Sequence, residues 1–280
     1  MARTERKKKT RAVLLILLAA ALAAGACFAV TRVILPGCRY RAAVKLYEAG
    51  KYEEAAAAFE ALDEYRDSAA RRNALRFLIA PVGGTVSFGR CEQDNDPDNG
   101  KEEIEWIVLE RGEDRILVIS KYALDGRRYN TSSGAVSWES CSLRQWLNAD
   151  FLQDSFTEQE QAWIPVTTVS ADRNPMSFAS SGNDTQDKLF LLSIPEVNRF
   201  FSEEARKCAP TEYAAARGVF TNSSYSADGR AACWWWLRSP GFGTDSASLV
   251  LCSGFVNCDG FGAATDLCAV RPAMWIRPEP

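Results

Sequence analysis

The chain has 280 residues, 47% of them hydrophobic and 25% charged, with a net charge of −3 at pH 7 and no histidine. This is the composition of a globular protein with room for one large domain and a small one. The missing histidine removes imidazole bases, Ser-His-Asp and Cys-His nucleophile pairs and most zinc sites, and the acidic balance beyond the first eleven residues argues against a nucleic-acid partner.

Residues 1–11 carry Arg3, Arg6, Lys7, Lys8, Lys9 and Arg11 against Glu5 alone and read as a cytoplasmic basic tail. The uncharged apolar run Ala12 to Thr31 follows, long enough to cross a bilayer as a helix. A transmembrane helix is therefore expected over 12–35, and the positive-inside rule places everything after it outside the cytoplasm. A signal peptide cleaved near Ala24-Gly25-Ala26 and a lipidated Cys27 are rival readings of the same run.

Residues 39–80 read as a helical stalk. Ala42-Ala43-Val44-Leu46-Tyr47 runs up to Gly50, a helix stop. A second helix restarts at Tyr52-Glu53-Glu54-Ala55 and runs through Phe59 and Leu62. A third begins near Asp67 or Ser68 and passes through Leu75, Phe77 and Leu78. The stretch from Leu46 to Phe59 resembles one tetratricopeptide repeat, too little for the concave groove that an array builds.

Pro81-Val82-Gly83-Gly84 breaks the helices, and the large domain is placed at 82–277. Thr85–Phe88 reads as a strand. Ile104–Leu109 and Arg115–Ile119 flank Arg111-Gly112-Glu113-Asp114 as a hairpin. Ser142–Leu147 is a short amphipathic helix. Thr157 with Glu160, and Ser193 with Glu196, have capping-box spacing at two further helix starts. The polar segment Arg173–Lys188 reads as a long loop. At the C-terminus, Ser246–Leu251 and Phe255–Asn257 read as strands joined by a tight turn, with Cys252 and Cys258 facing opposite sides. Strands, then helices, then strands make an α+β domain with an antiparallel sheet.

Cys233-Trp234-Trp235-Trp236-Leu237-Arg238 and Val270-Arg271-Pro272-Ala273-Met274-Trp275-Ile276 mark the centre of the core. Consecutive tryptophans on a strand point to both faces, so both faces must be covered. Trp234, Trp235, Trp236, Arg238, Arg271 and Trp275 are the structural-core residues, and each arginine needs a buried partner. The nine cysteines form no C-x-x-C pair, which leaves a zinc ribbon unsupported and free buried thiols as the default.

Several motifs together resemble the bacterial domain-of-unknown-function family 6273. They are Ser87-Phe88-Gly89, Ile104–Leu109, Cys141–Asn148, Gly182–Lys188, Leu191-Leu192-Ser193, Trp234–Gly241 and Val270–Ala273. The layout is more distantly similar to C-type-lectin-like folds of the formylglycine-generating-enzyme sort. The first resemblance names a domain without a task. The second implies a fold and carries over no catalytic residue.

Two candidate sites stand out. Asp94, Asp96 and Asp98 occupy positions 1, 3 and 5 of a calcium-loop register with Glu105 at position 12, so calcium is the candidate metal. Asn99 in place of glycine, and strand flanks in place of helices, spoil an EF-hand match. Asn183, Asp184 and Asp187 end the long loop and are candidate ligand-binding residues, against the plainer reading of loop-fixing hydrogen bonds. Glu196 is explained by its capping position, and no catalytic residue is assigned. The sequence thus points to a membrane-anchored, extracytoplasmic module at the bacterial cell surface that recognises a glycan or protein ligand without catalysis. The alternatives are an enzyme of the formylglycine-generating type and a structural envelope scaffold.

Overall fold

The computed structural model describes residues 15, 17–25, 28 and 34–279. The chain divides into a helical unit ending at Ile79 and a larger unit over Ala80–Pro278. In the first, helices α1 (Leu35–Glu48), α2 (Tyr52–Glu60) and α3 (Ser68–Ile79) bury Tyr40, Ala43, Ala55, Phe59, Leu62, Leu75 and Leu78 in one cluster. Alanine at 43 and 55 lets the helices approach closely. Gly50, at φ +70, supplies the left-handed turn between α1 and α2.

The expected membrane-spanning helix is corrected here. Among the described residues no helix is long and apolar enough to cross a membrane. The basic tail, and residues 12–14, 16, 26–27 and 29–33 of the expected span, lie outside the described residues. The single-pass anchor, the membrane as partner, the cell-membrane location and the membrane-anchored recognition module fall with that helix.

The larger unit is α+β. Its elements in order are β1 (Thr85–Cys91), β2 (Glu102–Arg111), β3 (Ile116–Ser120), β4 (Asp125–Gly126), α4 (Ser142–Trp146), α5 (Leu152–Ser155), α6 (Glu158–Trp163), β5 (Thr167–Val169), β6 (Thr185–Asp187), β7 (Leu189–Phe190), α7 (Ile194–Phe200), α8 (Glu212–Ala216), β8 (Thr221–Ala227), β9 (Arg230–Cys233), β10 (Trp235–Pro240), β11 (Ser246–Val250), β12 (Val256–Gly262), β13 (Ala269–Val270) and β14 (Ala273–Ile276). One five-stranded sheet runs β1-β2-β3-β14-β7 and the other β12-β11-β10-β13-β4. Thr157 and Ser193 cap α6 and α7 through complete capping boxes with Glu160 and Glu196, as their spacing predicts.

Each sheet has a central strand covered on both faces. In β3 every residue is buried, and so is every residue of β10. Trp235 and Trp236 are enclosed, with their indole N–H groups donating to the carbonyls of Arg206 and Arg127 at 3.1 and 2.9 Å. Trp234 precedes the strand and is half-buried against Phe220 and Phe261, at ring separations of 4.4 and 5.6 Å. The β11–β12 hairpin pairs Val250 with Val256 and Leu249 with Asn257, one residue off the register that a two-residue turn would give.

The chain crosses between the two sheets twice, side by side. It leaves β3 for β4 through residues 121–124 and returns from β13 to β14 through Arg271-Pro272. Ser120 N–H donates to the Pro272 carbonyl and Leu124 N–H to the Val270 carbonyl, both at 2.9 Å. A crossing exposes backbone and polar side chains that a continuous strand would cover, and a cleft opens there.

Candidate functional site

The two core arginines have opposite surroundings. Arg238, 2% exposed on β10, meets the Glu196 carboxylate in a bidentate pair, with Nη2 to Oε1 at 2.9 Å. Its Nη2 also reaches Asp172 at 3.2 Å, Nη1 the Leu191 carbonyl at 2.9 Å and Nε the Ser170 carbonyl at 3.3 Å. Glu196 therefore holds the helix cap and the buried guanidinium at once. This half-buried carboxylate is the counter-charge that the apolar run demands.

Arg271 is 1% exposed. Its Nε donates to the Ser120 carbonyl at 3.0 Å, and its guanidinium carbon lies 5.0 Å from the Trp235 ring and 5.5 Å from the Phe201 ring. Its Nη1 is buried with no acceptor, and among the described residues no carboxylate pairs with it. The expectation of a buried counter-charge fails at this arginine. A buried donor left unmade costs about 1–3 kcal/mol, more when charged, so an orphaned guanidinium nitrogen calls for a missing acceptor.

Arg271 lines a cleft of about 410 Å³ at the sheet crossing, together with Lys121, Tyr122, Glu204, Lys207 and Asp228. Lys121 comes from the first crossing, Lys207 follows the turn Glu204–Arg206, and Asp228 sits at the β8–β9 turn. Lys121 pairs with Glu105 at 3.0 Å and Asp228 at 3.8 Å, and Lys207 pairs with Glu204 at 2.6 Å. The lysine side chains are 26% and 16% exposed, whereas Asp228 and Glu204 are 55% and 78% exposed. In each pair the lysine is the less exposed partner. The Glu105 hydrogen bond, offset in part by burial, raises the Lys121 pKa and keeps its charge. Arg271 is the cation of this lining with no carboxylate partner among the described residues, which favours a negative group there.

Two buried thiols lie behind this lining without being part of it. Cys208 lies between Lys207 and Ala209, and the Cys233 N–H donates to the Cys208 carbonyl at 2.8 Å. Among the described cysteines all are free. The sequence offers no signal for this pair, because the two residues lie on separate elements with no motif spacing. Arg271 was visible only as a charge in an apolar run.

The other sequence-derived candidates are dispersed. Asp187 is 2% exposed and takes Arg144 Nε at 2.7 Å and the Trp138 indole N–H at 3.1 Å. Asp184, on the exposed side, accepts from Ala171 N–H at 2.7 Å, and Asn183 is tied to Glu139 at 3.0 and 3.1 Å. The cleft beside that loop, about 490 Å³, has no charged group in its lining. Trp275 is half-buried beneath the Arg115 guanidinium, 4.3 Å from its ring.

In the acidic turn, Asp94 accepts from Asn99 Nδ2 at 2.7 Å and Asp96 N–H at 3.0 Å, and Asp96 accepts from Asp98 N–H at 3.2 Å. The Asn99 hydrogen bond, then that from Asp96, lowers the Asp94 pKa. Glu92, Asp94 and Glu102 bring their carboxylate oxygens within 4.8 Å of one another and can hold a metal ion. Asp96 and Asp98 stand outside that trio, and Glu105 is engaged by Lys121. The calcium-loop register thus contributes one of its members, because the turn folds back on strand neighbours instead of wrapping a cation.

A family profile described as "Domain of unknown function (DUF6273)" matches residues 113–278, more than half of the chain. The match starts at the turn between β2 and β3, later than the residue 82 that the motifs suggest, and includes Lys121, Cys208, Cys233, Arg238 and Arg271. No curated protein and no solved structure matches the chain.

Proposed function

The chain belongs to the DUF6273 family, and from that premise we propose that its domain takes up a small anionic ligand, a carboxylate or an oxyanion such as a sulfuryl or phosphoryl group, in the cleft over Arg271. One observation carries this reading: the buried Nη1 of Arg271 has no acceptor. The aromatic faces of Trp235 and Phe201 beside the guanidinium lower the local dielectric, which strengthens a charge-assisted hydrogen bond. A concave cleft with a buried, unpaired guanidinium in its lining supports a small-molecule site over a glycan- or protein-recognition face. The likeness to C-type-lectin-like, formylglycine-generating folds belongs to the same proposal. It is supported by the capped α7 after Leu191-Leu192, by β10 and by the closing strands β13 and β14. The tetratricopeptide likeness of α1 and α2 is supported by their small-residue packing.

Sulfate, whose charge is constant between pH 5 and 9, is the probe. Calorimetric titration of the full chain should give saturable binding, and Arg271→Met should weaken it at least about tenfold, the worth of one charge-assisted hydrogen bond. Equal sulfate binding by wild type and R271M, with both folded by circular dichroism, sinks the reading.

A second reading rests on the oxygen trio. Glu92, Asp94 and Glu102 suit calcium, a hard cation that takes carboxylates in flexible geometry. Millimolar calcium should raise the melting temperature of the wild type and leave that of Asp94→Asn unchanged. No shift in the wild type removes calcium from the account.

A further inference from the structure

The cleft over Arg271 presents one charge of each sign beyond its internal pairs. Of the three guanidinium nitrogens of Arg271, Nε alone has an acceptor among the described residues, the Ser120 carbonyl at 3.0 Å. The two terminal nitrogens form a fork that matches the two oxygens of a carboxylate. Elsewhere in the lining, Lys207 and Glu204 satisfy each other at 2.6 Å. Lys121 stands between two carboxylates. It donates a hydrogen bond to Glu105 at 3.0 Å, whereas Asp228 lies 3.8 Å away, beyond hydrogen-bond reach. Glu105 is outside the lining and Asp228 is part of it.

The surplus cation is therefore the buried Arg271, and the surplus anion is the half-exposed Asp228. They come from distant parts of the chain, the crossing before β14 and the turn between β8 and β9. Arg230, close to that turn in sequence, is not part of the lining; its guanidinium stacks on the Tyr122 ring at 4.1 Å and makes no ion pair among the described residues. The lining also includes the Tyr122 ring and the aliphatic side chains of Ile107, Ala205 and Ala209, which suit a short hydrocarbon skeleton. A plain anion meets Arg271 and is repelled by Asp228, and a plain cation meets the reverse. A molecule carrying both charges answers both groups and brings no net charge into the cleft.

We propose that the ligand of this cleft is a free amino acid, with its carboxylate on Arg271 and its ammonium group on Asp228. This rests on the anion reading above and narrows it to one class of ligand. The cleft volume of about 410 Å³ lies in the lower part of the range for small-molecule sites, as a single amino acid requires. Asp228 is then a specificity residue. It selects the amino acid over the bare carboxylate, because an anion without an ammonium group leaves two negative charges facing each other.

The test is calorimetric titration of the full chain with matched pairs: glycine and acetate, β-alanine and propionate, γ-aminobutyrate and butyrate. The members of each pair share a carboxylate and a carbon skeleton and differ by the ammonium group. At least one amino acid should bind about threefold or more tightly than its partner, in line with a partly exposed ion pair, and should displace sulfate. Asp228→Asn should erase that margin, while the same variant binds sulfate about twofold more tightly. Opposite shifts from one substitution separate charge selection from a general loosening of the cleft. Asp228 has a left-handed backbone at φ +50, which asparagine adopts readily, so the turn survives the exchange. If no pair shows a margin while sulfate binds, the amino-acid assignment is overturned and the anion reading stands. A margin that persists in D228N overturns the assignment as well. If neither sulfate nor any amino acid binds the wild type, both readings fall together.

Discussion

Arg238 and Arg271 are buried to nearly the same depth, 2% and 1% exposed, and belong to runs of similar apolar character. Around Arg238 the fold supplies Glu196, Asp172 and two carbonyls. Around Arg271 it supplies one carbonyl, two aromatic rings and a cleft. The difference comes from where each sits. Arg238 lies inside a strand, flanked by a capped helix whose own carboxylate can turn inward. Arg271 lies on a crossing between sheets, where no helix terminus delivers a carboxylate. Burial alone does not say what a charge is for; its partners do.

The sharpest break of this comparison is the stability cost of removing each guanidinium. Arg238→Met strands the Glu196 and Asp172 carboxylates, and denaturant unfolding should show a loss of about 3–5 kcal/mol. Arg271→Met strands only the Ser120 carbonyl and should cost about 1 kcal/mol. If the two losses are equal, Arg271 is a structural ion like Arg238, and the anion reading falls. Next comes Ser193→Ala, which removes the cap that aligns α7 and Glu196. About 1 kcal/mol should be lost, with sulfate binding unchanged; a change in sulfate affinity would mean that the two arginine regions communicate. The smallest effect belongs to Asp228→Asn in the lining of the cleft. One exposed carboxylate removed should tighten sulfate binding by about twofold, in line with a few tenths of a kcal/mol for a surface charge, and should do so less at high salt.

Much of the fold was legible from local rules. The two capping boxes, the hairpin of β2 and β3 and the stop at Gly50 each follow from periodicity or cap chemistry within a few residues, and those interactions survive folding because they are local; of the tryptophan run, Trp235 and Trp236 are enclosed and Trp234 is half-buried. The C-terminal hairpin was legible as a pair of strands but not in register, since its turn takes three residues, Cys252 to Gly254, instead of two. The candidate site was barely legible. Lys121 and Arg271 meet only because two chain crossings run side by side, a fact of topology with no local signature. The acidic turn shows the converse. Its alternating carboxylates looked like a cation loop, but the hairpin beneath turns Glu92 and Glu102 toward Asp94 and sends Glu105 to Lys121.

A protein without imidazole has an unusual acid–base spectrum. Ordinary carboxylates finish titrating below pH 6 and ordinary lysines begin above pH 9, so the interval between is left to the thiols. Desolvation pushes the buried Cys91 and Cys141 up to about 12 and out of it. Proton release measured across that interval therefore reports on the remaining sulfurs as a group.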